Sequence, residues 1–146
     1  MLLTRPRCEA YVQAFRNGTI EAVEAAEFGE TDGKKIIKSI AFEKNIISAT
    51  DRFLDLQASL GLPPPVFVMI SLLGVKGYRV LTTDKYVLAR SSQIDRDLLV
   101  LPEIIVEDFE QSPSSLLRPA FDAVWQAAGF LRSAYYDEKG NWKAPS

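Results

Sequence analysis

The sequence predicts an α+β fold, a mainly antiparallel sheet with two principal helices in the order β-β-α-β-β-β-α. Three observations carry that expectation. Alternating apolar residues flank an Asn17-Gly18 dipeptide near the start of the chain. Apolar residues recur at three- and four-residue steps in two longer stretches. The apolar runs between those stretches are short and bounded by glycine and proline, as strands are.

Tyr11 to Phe28 reads as a hairpin. Val12 and Ala14 alternate with Tyr11, Gln13 and Phe15, and Ile20 and Ala22 alternate with Glu21. Asn17-Gly18 supplies the two positive-φ positions of a type I′ turn. A helix through the Ala- and Glu-rich residues 21–27 is the rival reading, which Asn-Gly disfavours. Glu21, Glu24 and Glu27 are expected at exposed positions. Glu30-Thr31-Asp32-Gly33 reads as a turn, with a short strand from Lys34 to Ile40.

The first helix is expected from Ala41 to Leu60. Phe42, Ile46, Ala49, Thr50, Phe53, Gln57 and Leu60 form its apolar stripe, and Gly61 with Pro63-Pro64-Pro65 ends it. Val66 to Leu73 is apolar at odd and even positions alike, the pattern of a strand covered on both faces. Gly74-Val75-Lys76-Gly77 turns the chain into Tyr78-Arg79-Val80-Leu81, and Tyr86-Val87-Leu88 suggests a weaker strand. Leu98 to Val106 is a further apolar run in which Pro102 favours an edge or a bulge. Ser112-Pro113 opens the second helix, with Leu117, Phe121, Val124 and Ala128 on one face and Gly129 at its end. Pro119 is expected to kink that helix or to move its start to about Ser115. Residues 11–130 make one domain, residues 1–10 a linker or flexible segment, and residues 131–146 an aromatic tail partly packed back on the domain.

A chain of 146 residues with 47% hydrophobic and 25% charged residues buries a core without staples. Net charge is −2 with both signs interspersed, which argues against nucleic acid as a partner. No apolar run approaches the roughly 20 residues of a membrane helix, and Met1 to Arg7 is too short for a signal peptide, so a cytoplasmic location is expected.

The sequence contains no histidine and one cysteine, Cys8. This excludes a Ser-His-Asp triad, a Cys-His pair, a histidine base and a His- or Cys-built zinc cage within the chain. No phosphate-binding P-loop, G-x-G-x-x-G or G-x-S-x-G motif is present either. The expectation is therefore a protein without catalytic residues, bound metal or cofactor. Carboxylate-only chemistry needs no histidine, but ordinarily needs a larger scaffold.

Binding candidates are few. Lys76 lies in a G-x-x-G turn and, with Arg79, is positioned to hold an anion near exposed amides. Tyr78 adjoins them, and Arg16 sits in the hairpin turn. Asp95-Arg96-Asp97 places two carboxylates on one side if extended, as for a hard cation, though such stretches are more often turns. A nucleic-acid surface would have to be built from Lys34, Lys35, Lys38, Lys76 and Arg79. Trp125, Tyr135, Tyr136 and Trp142 are residue types enriched at interfaces, with Trp125 equally suited to the core. They point to a homo-oligomer or to contact with a partner domain of the same parent protein. A pocket between the sheet and the long helix, for a small-molecule sensor, is the alternative.

Four stretches carry a resemblance. They are Tyr11 to Val23 (YVQAFRNGTIEAV), Ser71 to Tyr78 (SLLGVKGY), Ile94 to Glu103 (IDRDLLVLPE) and Leu117 to Gly129 (LRPAFDAVWQAAG). Together they resemble the C-terminal region of bacterial Schlafen AlbA-type proteins, described as ATP-binding or DNA-binding regulators. The similarity covers about Tyr11 to Trp142 and transfers no catalytic residue. It implies an accessory domain, cut from a longer protein whose AlbA-like part binds nucleotide or DNA. Arg5-Pro6-Arg7 would then be part of a former interdomain linker.

Overall fold

A computed structural model describes residues 10–144. The expected linker, apart from Ala10, lies outside those residues, as does Cys8. The fold is α+β, with small, mostly antiparallel sheets and two principal helices.

The hairpin expected at the start is present. Strand β1 (Ala10–Ala14) pairs antiparallel with β2 (Ile20–Glu24). Its turn is not type I′. Gly18 N donates to Phe15 O at 3.0 Å with Gly18 at φ 87°, while Asn17 keeps a negative φ and its Oδ1 accepts from Thr19 N. The type I′ turn stands one hairpin later. Strands β3 (Phe28–Thr31) and β4 (Lys34–Lys38) are joined by Asp32 at φ 48° and Gly33 at φ 71°. Asp-Gly serves that turn as well as Asn-Gly does.

Helix α1 (Ser39–Ser59) closes with Leu62 N on Gln57 O and Gly61 N on Ala58 O, a Schellman end with Gly61 in the left-handed region. Its inward face is rotated from the expected stripe. Ser39, Phe42, Glu43, Thr50 and Leu54 are buried, whereas Leu60 is 64% exposed.

The run from Val66 to Leu73 divides into β5 (Val66–Val68) and β6 (Ser71–Leu73). It is not covered on both faces, because Phe67, Met69, Ser71 and Leu73 point to water. Strand β7 (Arg79–Leu81) adds to β4 in parallel, giving the order β3-β4-β7. Where a weak strand was expected, residues 85–90 form the short helix α2 (Lys85–Arg90), because Asp84 Oδ1 caps Tyr86 N at 2.9 Å.

Strands β8 (Leu98–Val100) and β9 (Ile104–Val106) pair antiparallel with β6 and β5 respectively. Between the two ladders, Met69 and Ile70 face the three residues 101–103. Pro102 therefore marks a one-residue bulge in an otherwise continuous two-stranded ribbon. Helix α3 (Pro113–Ala127) starts at Pro113, not at Ser115, and runs through Pro119. Gly129, at φ 89°, ends it in the same Schellman pattern, with Phe130 N on Trp125 O.

The core lies where α1 and α3 meet the inner face of the ribbon. Ile37, Phe42, Leu72, Val75, Ile94, Leu99, Leu101, Ile104, Leu117, Phe121 and Val124 fill it. A second cluster joins Val80, Trp125, Ala128 and Tyr135. No helix among the described residues is long and apolar enough to cross a membrane.

Candidate functional site

The four aromatics expected at an interface sit inside the domain. Trp125 and Tyr135 are buried, and Tyr136 and Trp142 are half-buried. They gather around Glu43, which the apolar residues Phe42, Ile46 and Ile47 place on the inward face of α1. Glu43 Oε1 accepts from Trp125 Nε1 at 2.8 Å and from Ser133 Oγ at 2.7 Å. Glu43 Oε2 accepts from Trp142 Nε1 at 2.7 Å. Burial pushes the Glu43 carboxyl above its ordinary range, and the three donors pull it back in part. The ring contacts Trp125–Tyr135 and Tyr135–Trp142, and the hydrogen bond between Tyr135 and Ser39, complete a clasp that fastens the tail to both long helices. Its chemistry is structural, because every carboxylate oxygen of Glu43 already holds a donor.

Glu27, expected outside, is buried and accepts from Asn45 Nδ2. Its backbone carbonyl also receives Lys38 N, so it anchors the entry to α1.

The turn Gly74 to Gly77 lies against residues 94–97, so Lys76, Tyr78, Arg79, Asp95, Arg96 and Asp97 do share one region. Val75 N donates to Asp97 O, Gly77 N to Ile94 O, and Ile94 N to Tyr78 O. These pairings occupy the Val75 and Gly77 amides of the turn. Arg79 Nη1 donates to Ser91 O, and Tyr78 turns inward, edge-on to Phe28 at 5.5 Å. Arg96 Nε and Asp95 Oδ1 pair at 2.7 Å in the open, and this contact holds the Asp95 carboxyl below its usual range. Among the described residues no group of three or more potential metal-binding side chains forms. Arg16 is apart, on the β1–β2 turn, beside which Gln57 Nε2 donates to Gly18 O. Lys34, Lys35 and Lys38 do not make one basic face: alternation along β4 sends Lys35 toward Tyr78 and the other two to the opposite side.

A shallow cleft of about 320 Å³ is lined by Lys44, Ile47, Ser48, Asp51, Ser112, Pro113, Ser114 and Trp142. It runs between α1 and the start of α3, not between sheet and long helix, and its two charged residues, Lys44 and Asp51, both stand on α1.

The most unusual surface was missed from the sequence. On the outer face of the ribbon Phe67, Met69, Leu73, Leu98, Val100 and Ile105 each leave between 47% and 76% of their surface in water. Phe67 stands directly across from Ile105, and Leu73 from Leu98. The six expose on the order of 600 Å², the upper end of the ~300–600 Å² that a monomer's largest apolar patch ordinarily reaches. The signal was present in the unbroken apolar run. What concealed it is that two-sided hydrophobicity fits a covered central strand as well as a ribbon with one face left for a partner.

Comparison of the chain with protein-family models, with curated proteins and with solved structures finds no match.

Proposed function

We propose that this chain is a non-catalytic interaction domain that docks a protein partner through the outer face of the β5–β6/β8–β9 ribbon. The observation that carries it is the set of six large apolar side chains held side by side in water by two antiparallel ladders and the bulge between them. A soluble fold gains nothing from that arrangement in isolation, since each such side chain gains about 1.5–3 kcal/mol when fully covered. The sequence, without histidine and with one cysteine, cannot build a histidine-based triad or a Cys-His pair. The resemblance to the C-terminal region of Schlafen AlbA-type proteins supports an accessory role beside a nucleotide- or DNA-binding neighbour, though no family model accompanies it.

The test is a photo-crosslinking amino acid placed at Met69 in living cells, with Asp55 on the exposed back of α1 as the control. Adducts are expected from position 69 and not from position 55. An absence of adducts from positions 69, 73 and 98 alike overturns the proposal.

A further inference from the structure

We infer, taking the ribbon face as the interaction surface proposed above, that its partner is a second copy of this chain, packed face to face about a two-fold axis. Three features point to self-association.

The first is the layout of the face. Four rows cross the ribbon: Phe67 with Ile105, Met69 with the bulge at 102–103, Ser71 with Val100, and Leu73 with Leu98. Both end rows are pairs of large apolar residues, and the weaker rows lie between them. A two-fold axis through the centre lays the Phe67–Ile105 row of one copy on the Leu73–Leu98 row of the other. Each inner row then meets the other inner row, as an isologous interface requires.

Charge is the second feature. The six apolar positions carry none, and Glu103 is the charged residue within the rows. Under the two-fold arrangement Glu103 lies over the row of Ser71 and Val100, not over its own copy, so like charges are not opposed. A partner chosen by electrostatic complementarity would need charges to read, and the face offers almost none.

Area is the third. The six side chains expose on the order of 600 Å², against the ~800 Å² that each partner contributes to a stable interface of ordinary size. Ser71, Pro102 and Glu103, also exposed, lie in the same rows and make up much of the rest. An apolar sheet face suits another sheet, packed about 10 Å away with strands within about 30° of alignment.

Sedimentation equilibrium on the whole chain, from low to several hundred micromolar, tests this. A reversible monomer–dimer equilibrium in the micromolar range is expected. Met69→Lys with Leu73→Lys should leave the melting temperature of the dilute monomer unchanged, since both side chains are about three-quarters exposed, and should shift dissociation at least 100-fold. Should that double variant fail to fold, Val100→Lys serves instead, with dimerisation weakened at least tenfold. A dimer that persists unaltered in these variants overturns the inference. So does a chain that stays monomeric at the highest concentration. In the monomeric case, a crosslinker at Met69 that captures a different protein leaves the interaction reading standing, and one that captures nothing overturns both.

Discussion

Replacing Glu43 by alanine should loosen the tail and cost about 2–4 kcal/mol. The magnitude follows from opposed contributions. The substitution strands Trp125 Nε1 and Ser133 Oγ in the interior and Trp142 Nε1 at its border, and hydrogen bonds to a charged acceptor are each worth about 1.5–3 kcal/mol. Against that loss stands the relief of a carboxyl held in a site that disfavours its charge. For a domain of this size the net cost corresponds to a drop in Tm on the order of 10 °C. Glu43→Gln keeps one oxygen for Trp125 and Ser133 but turns an NH₂ toward the indole of Trp142, and should cost about 1–2 kcal/mol. The assay is thermal unfolding followed by Trp fluorescence, which is well suited because the chain's two tryptophans both bind Glu43.

The pH dependence has a definite sign. The folded state raises the Glu43 carboxyl above its ordinary value of 4.5, so over that interval it holds the proton that the unfolded chain releases. The contribution of Glu43 to stability is therefore fullest below that value and declines as pH rises toward the raised folded value. The advantage of the natural residue over Gln should narrow through that window and stay level above it. An Ala variant within about 0.5 kcal/mol of the parent, or a Glu-to-Gln difference that widens with pH, refutes the reasoning.

Two further outcomes are expected. Gly61 and Gly129 occupy the same position in two Schellman ends, at φ 72° and 89°, but a Cβ on Gly129 would lie 2.8 Å from Ser92 Oγ while Gly61 faces open space. Gly61→Ala should cost about 1 kcal/mol for conformation alone and Gly129→Ala about 2 kcal/mol, measured by urea unfolding; equal costs would show that Ser92 moves aside freely. In the tail, the amide of Asn141, then Lys143, holds the Asp137 carboxyl down to about 2. Because that value is depressed, the Asp137 contacts are present above the ordinary carboxyl pKa and are lost as pH falls through about 2. The amide signals of Lys139 and Asn141 should follow that transition by NMR, and a midpoint near 4 would contradict it.

Where a residue type dictates local geometry, the sequence was legible. Gly61 and Gly129 end the long helices, Asn17-Gly18 turns the first hairpin, and Pro102 marks the bulge. Misreadings arose where two local rules compete or where tertiary burial decides. Asp84 could have revealed α2 as an N-cap, but the β-branched and aromatic Tyr86-Val87 outweighed it. The type I′ signature applied equally to Asn17-Gly18 and Asp32-Gly33, and only the strand register selects between them. Nothing local in the sequence singles out Glu43, because its partners at 125, 133 and 142 are more than 80 residues away. For the same reason the tail aromatics suggested an interface: a large amphipathic ring suits a buried clasp and a partner's surface equally. The exposed ribbon was hidden by its own hydrophobicity, since which face of a short apolar strand is left uncovered depends on how many helices reach it.

The central claim is that the outer ribbon face is bare in the isolated domain and covered in its assembly. Methyl NMR with a soluble paramagnetic agent measures this directly at Met69, Leu73, Leu98, Val100 and Ile105. These signals should be strongly attenuated in dilute protein and protected at high concentration, while Leu117 and Val124 in the core are protected throughout. Methyls of the face that remain attenuated at every concentration, and with every partner captured at Met69, would contradict the account.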